Sequence, residues 1–312
     1  MEPQRTNLLL RSEEFDNASW TKTFSSISAN ATTSPNGTLI ADKLIEDTAN
    51  NQHRIDQTTT SVIGTNTFSV FAKKSERDFV WLRIGGSGSY FDLTNGTISG
   101  TVGVTASIEN YGNGWYKCII VRTSTVANEI ARINLAIGTN ATYLGNGTSG
   151  LFIWGAQLEA GSNATSYIPT VASSVTRNAD VISKTGISSL IGQTQGTIVL
   201  DFELQSNNIN GNYLFSLSDG TTSNLIRSEI YILSPTVSQF RTGLTTSGVG
   251  QGDNFTTITQ LRNKMAISYS LNNFKLFING VLVYTDTTAT IPATSGFYLG
   301  NRIGVGNIIG AN

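Results

Sequence analysis

Few side chains in this sequence are suited to covalent chemistry. The chain has 312 residues with one histidine, His53, and one cysteine, Cys118. A Ser–His–Asp triad or a histidine-rich metal site would have to use His53, and no nucleophile motif or second ligand flanks it. Cys118 alternates with Tyr116 and Ile120, which predicts a small core residue and not a thiolate nucleophile. We therefore assign no catalytic residue and expect no enzyme.

Carboxylate pairs are the remaining candidates for acid–base chemistry. Glu13 and Glu14 are adjacent, and Asp201 and Glu203 lie two residues apart on one predicted strand. Retaining glycosidases hold two carboxyl groups about 5 Å apart across a cleft. Residues two apart on a strand are separated by about 7 Å along one face, so we expect Asp201 and Glu203 on a solvated face. The sequence also lacks phosphate-binding glycine loops and CxxC pairs.

Binding chemistry has a better candidate in Trp81. The segment 79–84 alternates, so its valine, leucine and isoleucine share one face while Trp81 and Arg83 share the other. Tyr90 begins the next strand-like run and is expected beside Trp81. Pyranose rings pack on Trp and Tyr, and polar side chains hold the hydroxyl groups. Trp81, Arg83 and Tyr90 therefore predict a glycan platform. The alternative is that a neighbouring domain or subunit covers this face and makes Trp81 an interface residue.

The composition argues against two classes of partner. Charged residues make up 13% of the chain and the net charge is −1, whereas charged residues are about 25% of an average soluble protein. Such a chain has no basic footprint for nucleic acid or for anionic lipid. No apolar run approaches the ~18 residues of a spanning helix. We expect neither nucleic-acid binding nor membrane insertion.

Short strands joined by turns must position these residues. Thr, Asn, Ser and Gly take the place of the missing charges, a composition typical of β proteins. Asn113-Gly114 and Asn279-Gly280 each separate two strand-like runs, the strongest short-range signal for a hairpin. Only residues 15–20 and 187–191 suggest helices. The pattern predicts an all-β chain of two β-sandwich (jelly-roll) domains in tandem.

A polar stretch after Pro169 predicts the domain boundary. Residues 1–180 form the first predicted domain, residues 181–195 a linker, and residues 196–312 the second domain. The second domain opens on a strand in which Ile198, Leu200 and Phe202 face one way.

Several segments of the first domain fit one known pattern in order and spacing. They include residues 7–15 (NLLLRSEEF), 68–73 (FSVFAK), 114–116 (GWY), 154–161 (WGAQLEAG) and 164–170 (ATSYIPT). Over about residues 5–180 the chain thereby resembles a jelly-roll module of bacteriophage tail, fibre and head-spike proteins. The resemblance implies a fold similar to β-jelly-roll carbohydrate-binding modules. Such modules often hold a structural Ca²⁺ ion, so the resemblance leaves a Ca²⁺ site possible. We assign no ligands to it and predict no other cofactor.

The second domain carries a different pattern in three places. These are 196–198 (GTI), which opens a strand, the hairpin 277–281 (FINGV), and 297–300 (FYLG). They resemble a concanavalin-A-like, laminin-G-like sandwich. Such domains usually have a further strand after the Leu-Gly segment. The resemblance therefore implies that the given sequence is truncated at its C-terminus or that its last strand comes from elsewhere.

Taken with the resemblance, the residues predict a non-enzymatic bacteriophage virion surface protein that binds glycans on the host. It would be a fibre, spike or decoration subunit. Its expected partners are other virion proteins, further copies of itself, and cell-surface glycans. Because the start of the chain does not fit a signal peptide, synthesis in the host cytoplasm and display on the virion surface are expected. Two alternatives stay open: a purely structural capsid or tail cement protein without a glycan ligand, and a secreted bacterial adhesin or accessory carbohydrate-binding module.

Overall fold

The chain is almost entirely β-structure in a computed structural model. The residues that the structure describes are 2–60, 63–180, 182–203, 212–234, 237–260, 262–302 and 305–308. All named strands among them pair antiparallel. The prediction of an all-β chain with two tandem sandwiches is confirmed. In the described part of the chain, no helix has the length and apolar character needed to cross a membrane.

The chain divides into two compact units. The N-terminal domain is Arg5–Arg177, and the C-terminal domain comprises Asn178–Asn312 with Met1–Gln4. The predicted linker at 181–195 differs from the structure, because Ile182–Thr185 is a strand paired with Gly296–Leu299. All four residues of this edge strand are exposed, so the sequence shows no hydrophobic alternation there. Residue 181 lies outside the described residues.

The N-terminal domain contains sixteen strands within its described residues. In chain order they are β1 (Arg5–Asn7), β2 (Thr21–Thr23), β3 (Ser25–Thr33), β4 (Leu39–Glu46), β5 (Asn50–Gln52), β6 (Arg54–Thr58), β7 (Gly64–Lys74), β8 (Phe79–Ile84), β9 (Ser87–Asp92), β10 (Thr97–Val102), β11 (Thr105–Gly112), β12 (Trp115–Ser124), β13 (Ile130–Ala136), β14 (Thr142–Leu144), β15 (Gly150–Ala160) and β16 (Val175–Arg177).

Two six-stranded sheets form the N-terminal sandwich. One has the order β10-β9-β8-β13-β6-β2, and the other has the order β11-β12-β7-β15-β4-β3. Successive strands cross repeatedly between the two sheets, as in a jelly roll. The short pairs β1-β16 and β14-β5 lie outside these sheets. Strand β15 is central in its sheet, between β7 and β4, although it comes late in the chain.

The core of this domain is built from both six-stranded sheets. Val80 and Leu82 of β8 and Ile133 of β13 come from one sheet, and Phe68 and Val70 of β7 come from the other. All five are fully buried. Each such side chain contributes about 1.5–3 kcal/mol relative to an exposed one. The burial of Val80 and Leu82 fixes the register of β8 and so fixes which side chains face outward.

The C-terminal domain has twelve strands within its described residues. They are β17 (Ile182–Thr185), β18 (Gln195–Glu203), β19 (Asn212–Ser218), β20 (Leu225–Ser234), β21 (Val237–Thr246), β22 (Val249–Ile258), β23 (Arg262–Ser270), β24 (Asn273–Ile278), β25 (Val281–Asp286), β26 (Gly296–Leu299), β27 (Asn301–Arg302) and β28 (Val305–Ile308).

The second sandwich pairs a six-stranded sheet with a four-stranded one. Their orders are β17-β26-β19-β20-β21-β22 and β18-β23-β24-β25. Phe215 and Phe240 from the larger sheet share one buried cluster with Ile267 and Leu276 from the smaller sheet. After β26 the chain forms the small pair β27-β28, so further strands do follow the Leu-Gly segment. Residues 309–312 lie outside the described residues.

Both predicted Asn-Gly hairpins are confirmed in backbone detail. Asn113 and Gly114 have φ values of 51° and 80°, and Asn279 and Gly280 have φ values of 51° and 84°. Positive φ at both central residues is the mark of a type I′ turn, which matches the right-handed twist of the flanking strands. The sequence predicts these turns because asparagine and glycine adopt this conformation at the lowest cost.

The prediction of a helix at residues 15–20 is wrong. Residues 12–20 form successive turns in which the backbone N–H of Asn17 bonds Glu14 and that of Trp20 bonds Asn17. A tertiary contact replaces helical bonding, because the N–H of Phe15 donates to the Asp42 carboxylate at 2.9 Å. The second predicted helix, at residues 187–191, is a short 3₁₀ helix that spans Ser188–Leu190.

Candidate functional site

The structure brings the three predicted platform residues together. Trp81 and Arg83 lie on β8, and Tyr90 lies on β9 directly opposite Trp81 in the strand register. Strand β8 is internal to its sheet, so its backbone is held on both sides. All three side chains are partly exposed, whereas Val80, Leu82 and their neighbours on the other face are buried.

These side chains form one continuous row. The Trp81 and Tyr90 rings are stacked with centroids 4.8 Å apart and an interplanar angle of 6°. The Arg83 guanidinium carbon lies 4.3 Å from the centroid of the Trp81 ring. Stacked aromatic pairs and cation–π contacts are each worth about 0.5–1.5 kcal/mol. The row is therefore rigid before any ligand arrives, which lowers the entropic cost of binding.

A glycine on β9 gives this row its room. Gly88 is the register partner of Arg83. A Cβ at Gly88 would lie 2.7 Å from Arg83 Cγ and 3.0 Å from Trp81 Nε1. The closest obstacle to such a Cβ is the backbone carbonyl oxygen of Leu82; the contact with Arg83 is also too short, whereas that with Trp81 is only tight. Glycine at this position thus lets β9 approach the β8 backbone with the Arg83 side chain beside it.

Two residues of β13 extend the same face, and the sequence reasoning missed them. Asn134 is the register partner of Trp81, and Arg132 is the register partner of Arg83. The alternation of 130–137 was a usable signal, since it places both side chains opposite the buried Ile133. Nothing along a single strand indicates that Asn134 faces Trp81, because 53 residues separate them. We call Trp81, Arg83, Tyr90, Arg132 and Asn134 the platform face.

Asn134 is an unusual member of the platform face. Its side chain is fully buried, and neither its amide oxygen nor its amide nitrogen has a hydrogen-bond partner in the structure. A buried amide without partners costs about 1–3 kcal/mol. Buried polar groups of this kind are rare in native proteins and invite a functional explanation.

Positive charge dominates the electrostatics of this face. Burial lowers the pKa of Arg83, and the nearby cations Arg132 and Arg54 lower it further. The carboxylate here is Asp56, which accepts from Arg54 Nε at 3.0 Å and from Arg132 Nε at 3.1 Å. Burial also raises the pKa of Tyr90, so its hydroxyl stays protonated at neutral pH. The face can donate hydrogen bonds and offers apolar ring surface.

The side chains considered for covalent chemistry are buried or paired. His53 is buried, with Nδ1 2.7 Å from the carbonyl oxygen of Phe24 and Nε2 3.2 Å from that of Tyr143. Cys118 is fully buried, and burial raises the pKa of its thiol. Asp201 lies on the exposed face of β18 with Glu203, as predicted, and pairs with Arg262. None of these groups contributes to the platform face.

Metal ligands are not assembled in the described part of the chain. No group of three or more His, Cys, Asp or Glu side chains there could hold a metal ion. In one oxygen-rich loop, Lys22 Nζ donates to the carbonyl oxygens of Asp16 and Asn17, both at 2.6 Å. The nearby carboxylate of Asp42 accepts two backbone N–H groups. We assign no Ca²⁺ ligands.

No protein-family model matches the chain, and the search of curated proteins found no significant match. Among solved structures, it is similar to the LG1-3 region of the laminin alpha2 chain, with 10% sequence identity and a TM-score of 0.28. That similarity covers 83% of this chain and 62% of the laminin chain.

Proposed function

We propose that this chain is a non-enzymatic glycan-binding protein and that the platform face of its N-terminal domain holds the sugar. The observation that carries the proposal is the stacked row of Arg83, Trp81 and Tyr90 beside the buried, unpartnered amide of Asn134. Sugar sites combine aromatic surface with a few fixed hydrogen-bonding groups, and this row offers both.

The proposed binding mode assigns a role to each group. A pyranose ring packs its C–H surface against the parts of the Trp81 and Tyr90 rings that their mutual stacking and Arg83 leave exposed. Its hydroxyl groups take hydrogen bonds from Arg83. The Asn134 amide both donates and accepts, but it is fully buried, so a hydroxyl reaches it only when the side chains that cover it move aside. A hydrogen bond between a sugar hydroxyl and the Asn134 amide forms only in the complex, and its free energy therefore favours binding.

We further propose that the protein is displayed on a bacteriophage virion as a fibre, spike or decoration subunit. The support is the ordered sequence resemblance to such proteins over about residues 5–180. Other virion proteins, further copies of the chain and host glycans are its proposed partners. The non-enzymatic role is supported by the placement of His53 and Cys118 inside the fold.

Trp81→Ala tests the proposal. We expect saturable binding of the purified protein to host cells and to a panel of bacterial surface polysaccharides. We expect Trp81→Ala to weaken that binding at least tenfold, because Tyr90 and Arg83 both lose the ring against which they pack. The measurement is fluorescence-detected cell binding combined with calorimetry on purified polysaccharides.

The matched control is Phe255→Ala. Phe255 is an exposed aromatic residue of the C-terminal domain, 52% exposed, and lies outside the platform face. Its replacement should leave binding unchanged. Equal losses in both variants, or no binding by a folded wild-type protein to any cell or polysaccharide, would contradict the proposal.

A second candidate function, a structural subunit without a sugar ligand, is favoured by strand β25. This strand is an edge of its four-stranded sheet, and Val281, Leu282 and Val283 on it are exposed. Exposed aliphatic edge strands pair readily with strands of other chains. If this role holds, light scattering should give an oligomer that Val283→Lys dissociates. A wild-type monomer at high concentration would remove its support.

A further inference from the structure

We propose that the ligand of the platform face is an anionic glycan, one that carries carboxylate, sulfate or phosphate groups, and that Arg83 is the residue that selects the anion. The inference rests on the proposed function, since it specifies which glycans the same site takes. It draws on the charges around Arg83, on the geometry of its guanidinium, and on the amide of Asn134.

Within the described residues, the guanidinium of Arg83 forms no direct ion pair, and the carboxylate that acts on it electrostatically is Asp56. No carboxylate forms an ion pair with it among the described residues, and its Nε is buried without a hydrogen-bond partner. The neighbouring Asp56 is committed elsewhere, because Arg54 and Arg132 each bond one of its two oxygens. Three arginines thus share one carboxylate, and this part of the face carries an excess of two positive charges.

The register makes this excess costly to the free protein. Arg83 and Arg132 are directly opposite each other on β8 and β13. Like charges at directly opposite positions destabilise a sheet, whereas opposite charges stabilise it. An anion bound beside Arg83 would relieve the repulsion. An anionic ligand reduces the repulsion between Arg83 and Arg132, whereas a neutral ligand does not. The anionic ligand is therefore expected to bind more tightly.

The stacking of Arg83 leaves it well prepared for such a ligand. The Arg83 guanidinium carbon lies over the Trp81 ring, a position from which N–H groups can reach past the ring to a ligand. Planar N–H pairs of this kind match the two oxygens of a carboxylate or sulfate. The contact with Trp81 consumes none of the hydrogen-bond donors of Arg83, and because Nε is buried, the two Nη groups are the donors that a ligand can reach.

Asn134 adds the group that distinguishes a sugar from a free ion. Its buried amide is on β13 directly opposite Trp81, and Trp81 lies two residues from Arg83 on β8. A sugar hydroxyl can both donate to and accept from an amide. An anionic substituent for Arg83 and a hydroxyl for Asn134 belong together on an acidic sugar. Nucleic acid and anionic membranes fit less well, because the chain as a whole has a net charge of −1.

The test compares acidic and neutral members of matched polysaccharide pairs. The probes are dextran sulfate with dextran, and polygalacturonate with its methyl ester, together with the acidic and neutral polysaccharides of the binding panel. We expect the acidic member to bind at least tenfold more tightly at 50 mM NaCl. The difference should shrink at 500 mM NaCl, because salt screens partly exposed charges. The full-length protein is used throughout.

The variants separate charge from structure. Arg83→Met removes the charge and the hydrogen-bond donors and keeps an apolar stem on Trp81. It should weaken the binding of neutral members a few-fold and that of acidic members far more, so that most of the preference for acidic members is lost. Its thermal midpoint should stay equal or rise, because the Arg83–Arg132 repulsion is gone. Arg262→Met, at a well-exposed arginine of the C-terminal domain, is the control and should change neither preference nor midpoint.

Each outcome is decisive. Equal binding of neutral and acidic members overturns the anionic inference and leaves the proposed glycan function standing. No binding of any member by folded protein overturns both. A large loss of stability in Arg83→Met with the acidic preference intact would show that Arg83 is structural, and would also overturn the inference.

Discussion

Replacing Asn7 with leucine should cost the N-terminal domain about 4 kcal/mol of unfolding free energy or more. The Asn7 side chain is fully buried and uses its entire hydrogen-bonding capacity. Its Nδ2 donates to the carbonyl oxygens of Ala156 at 3.0 Å and Ile168 at 2.9 Å. Its Oδ1 accepts from the N–H groups of Leu9 and Leu158, both at 3.1 Å. Leucine has the same branched arrangement of four heavy atoms but is larger and leaves all four backbone groups without the partner that Asn7 supplies.

Chemical unfolding followed by tryptophan emission measures this effect. The four tryptophans of the chain lie between residues 20 and 154, so the emission reports on the N-terminal domain. Thr6→Val is the matched control, because Thr6 is a neighbour on the same strand whose hydroxyl bonds Thr176 at the surface. We expect the control to change stability by less than about 0.5 kcal/mol. A loss below about 1 kcal/mol in Asn7→Leu would show that the four bonds are dispensable.

Arg77→Leu is expected to destabilise the same domain by about 3–5 kcal/mol at neutral pH. Glu46 has a fully buried side chain that Arg77 contacts through Nε at 2.7 Å and Nη2 at 2.6 Å. Tyr143 and the backbone N–H of Asn146 donate to the same carboxylate. Without Arg77 the carboxylate would remain buried without its counterion. Lys43→Met is the control, because Lys43 pairs with the half-exposed Glu76, and such pairs contribute less than about 1 kcal/mol.

The effect of Arg77→Leu should depend on pH. Burial alone would raise the pKa of Glu46, but hydrogen bonds from Arg77, Tyr143 and Asn146 outweigh burial and lower the pKa below its ordinary value of 4.5. A carboxylate whose pKa is lowered by folding stabilises the native state above its unfolded pKa. That contribution is lost as the pH falls through the lowered folded pKa. The stability difference between wild type and variant should therefore be full at pH 7 and decline below pH 4.5. A difference independent of pH would contradict the assignment to Glu46.

The sequence predicted the strands that alternate and missed those that do not. Residues 79–84 and 274–278 lie within observed strands because their apolar side chains face a core. Strand β3 (Ser25–Thr33) has no such pattern, since it is an edge strand made almost wholly of Ser, Thr, Asn and Ala. Polar edge strands are held by backbone pairing with a neighbour. Backbone pairing of this kind does not require alternating apolar residues, so the sequence pattern does not reveal it.

The platform was partly predictable for a similar reason. The alternation of β8 placed Trp81 and Arg83 on one face, and Tyr90 followed because the next strand along the chain pairs with β8. Asn134 and Arg132 pair with β8 from far along the chain. Their contribution depends on the order of strands in the sheet, which local pattern does not encode. The close approach of Gly88 to the Leu82 carbonyl oxygen and to the Arg83 side chain leaves no room for a Cβ at that position, which no local pattern predicts.

The late, central position of β15 has a consequence for synthesis. This strand, Gly150–Ala160, fills the gap between β7 and β4 in the middle of its sheet. Until those residues leave the ribosome, the sheet exists as two halves with exposed inner edges, and loops of more than 70 residues must close to join them. A growing chain therefore cannot complete this domain stepwise from its N-terminus. Until then, the exposed edges of the two half-sheets can pair with strands of other chains. The fold is completed when β15 inserts between β7 and β4.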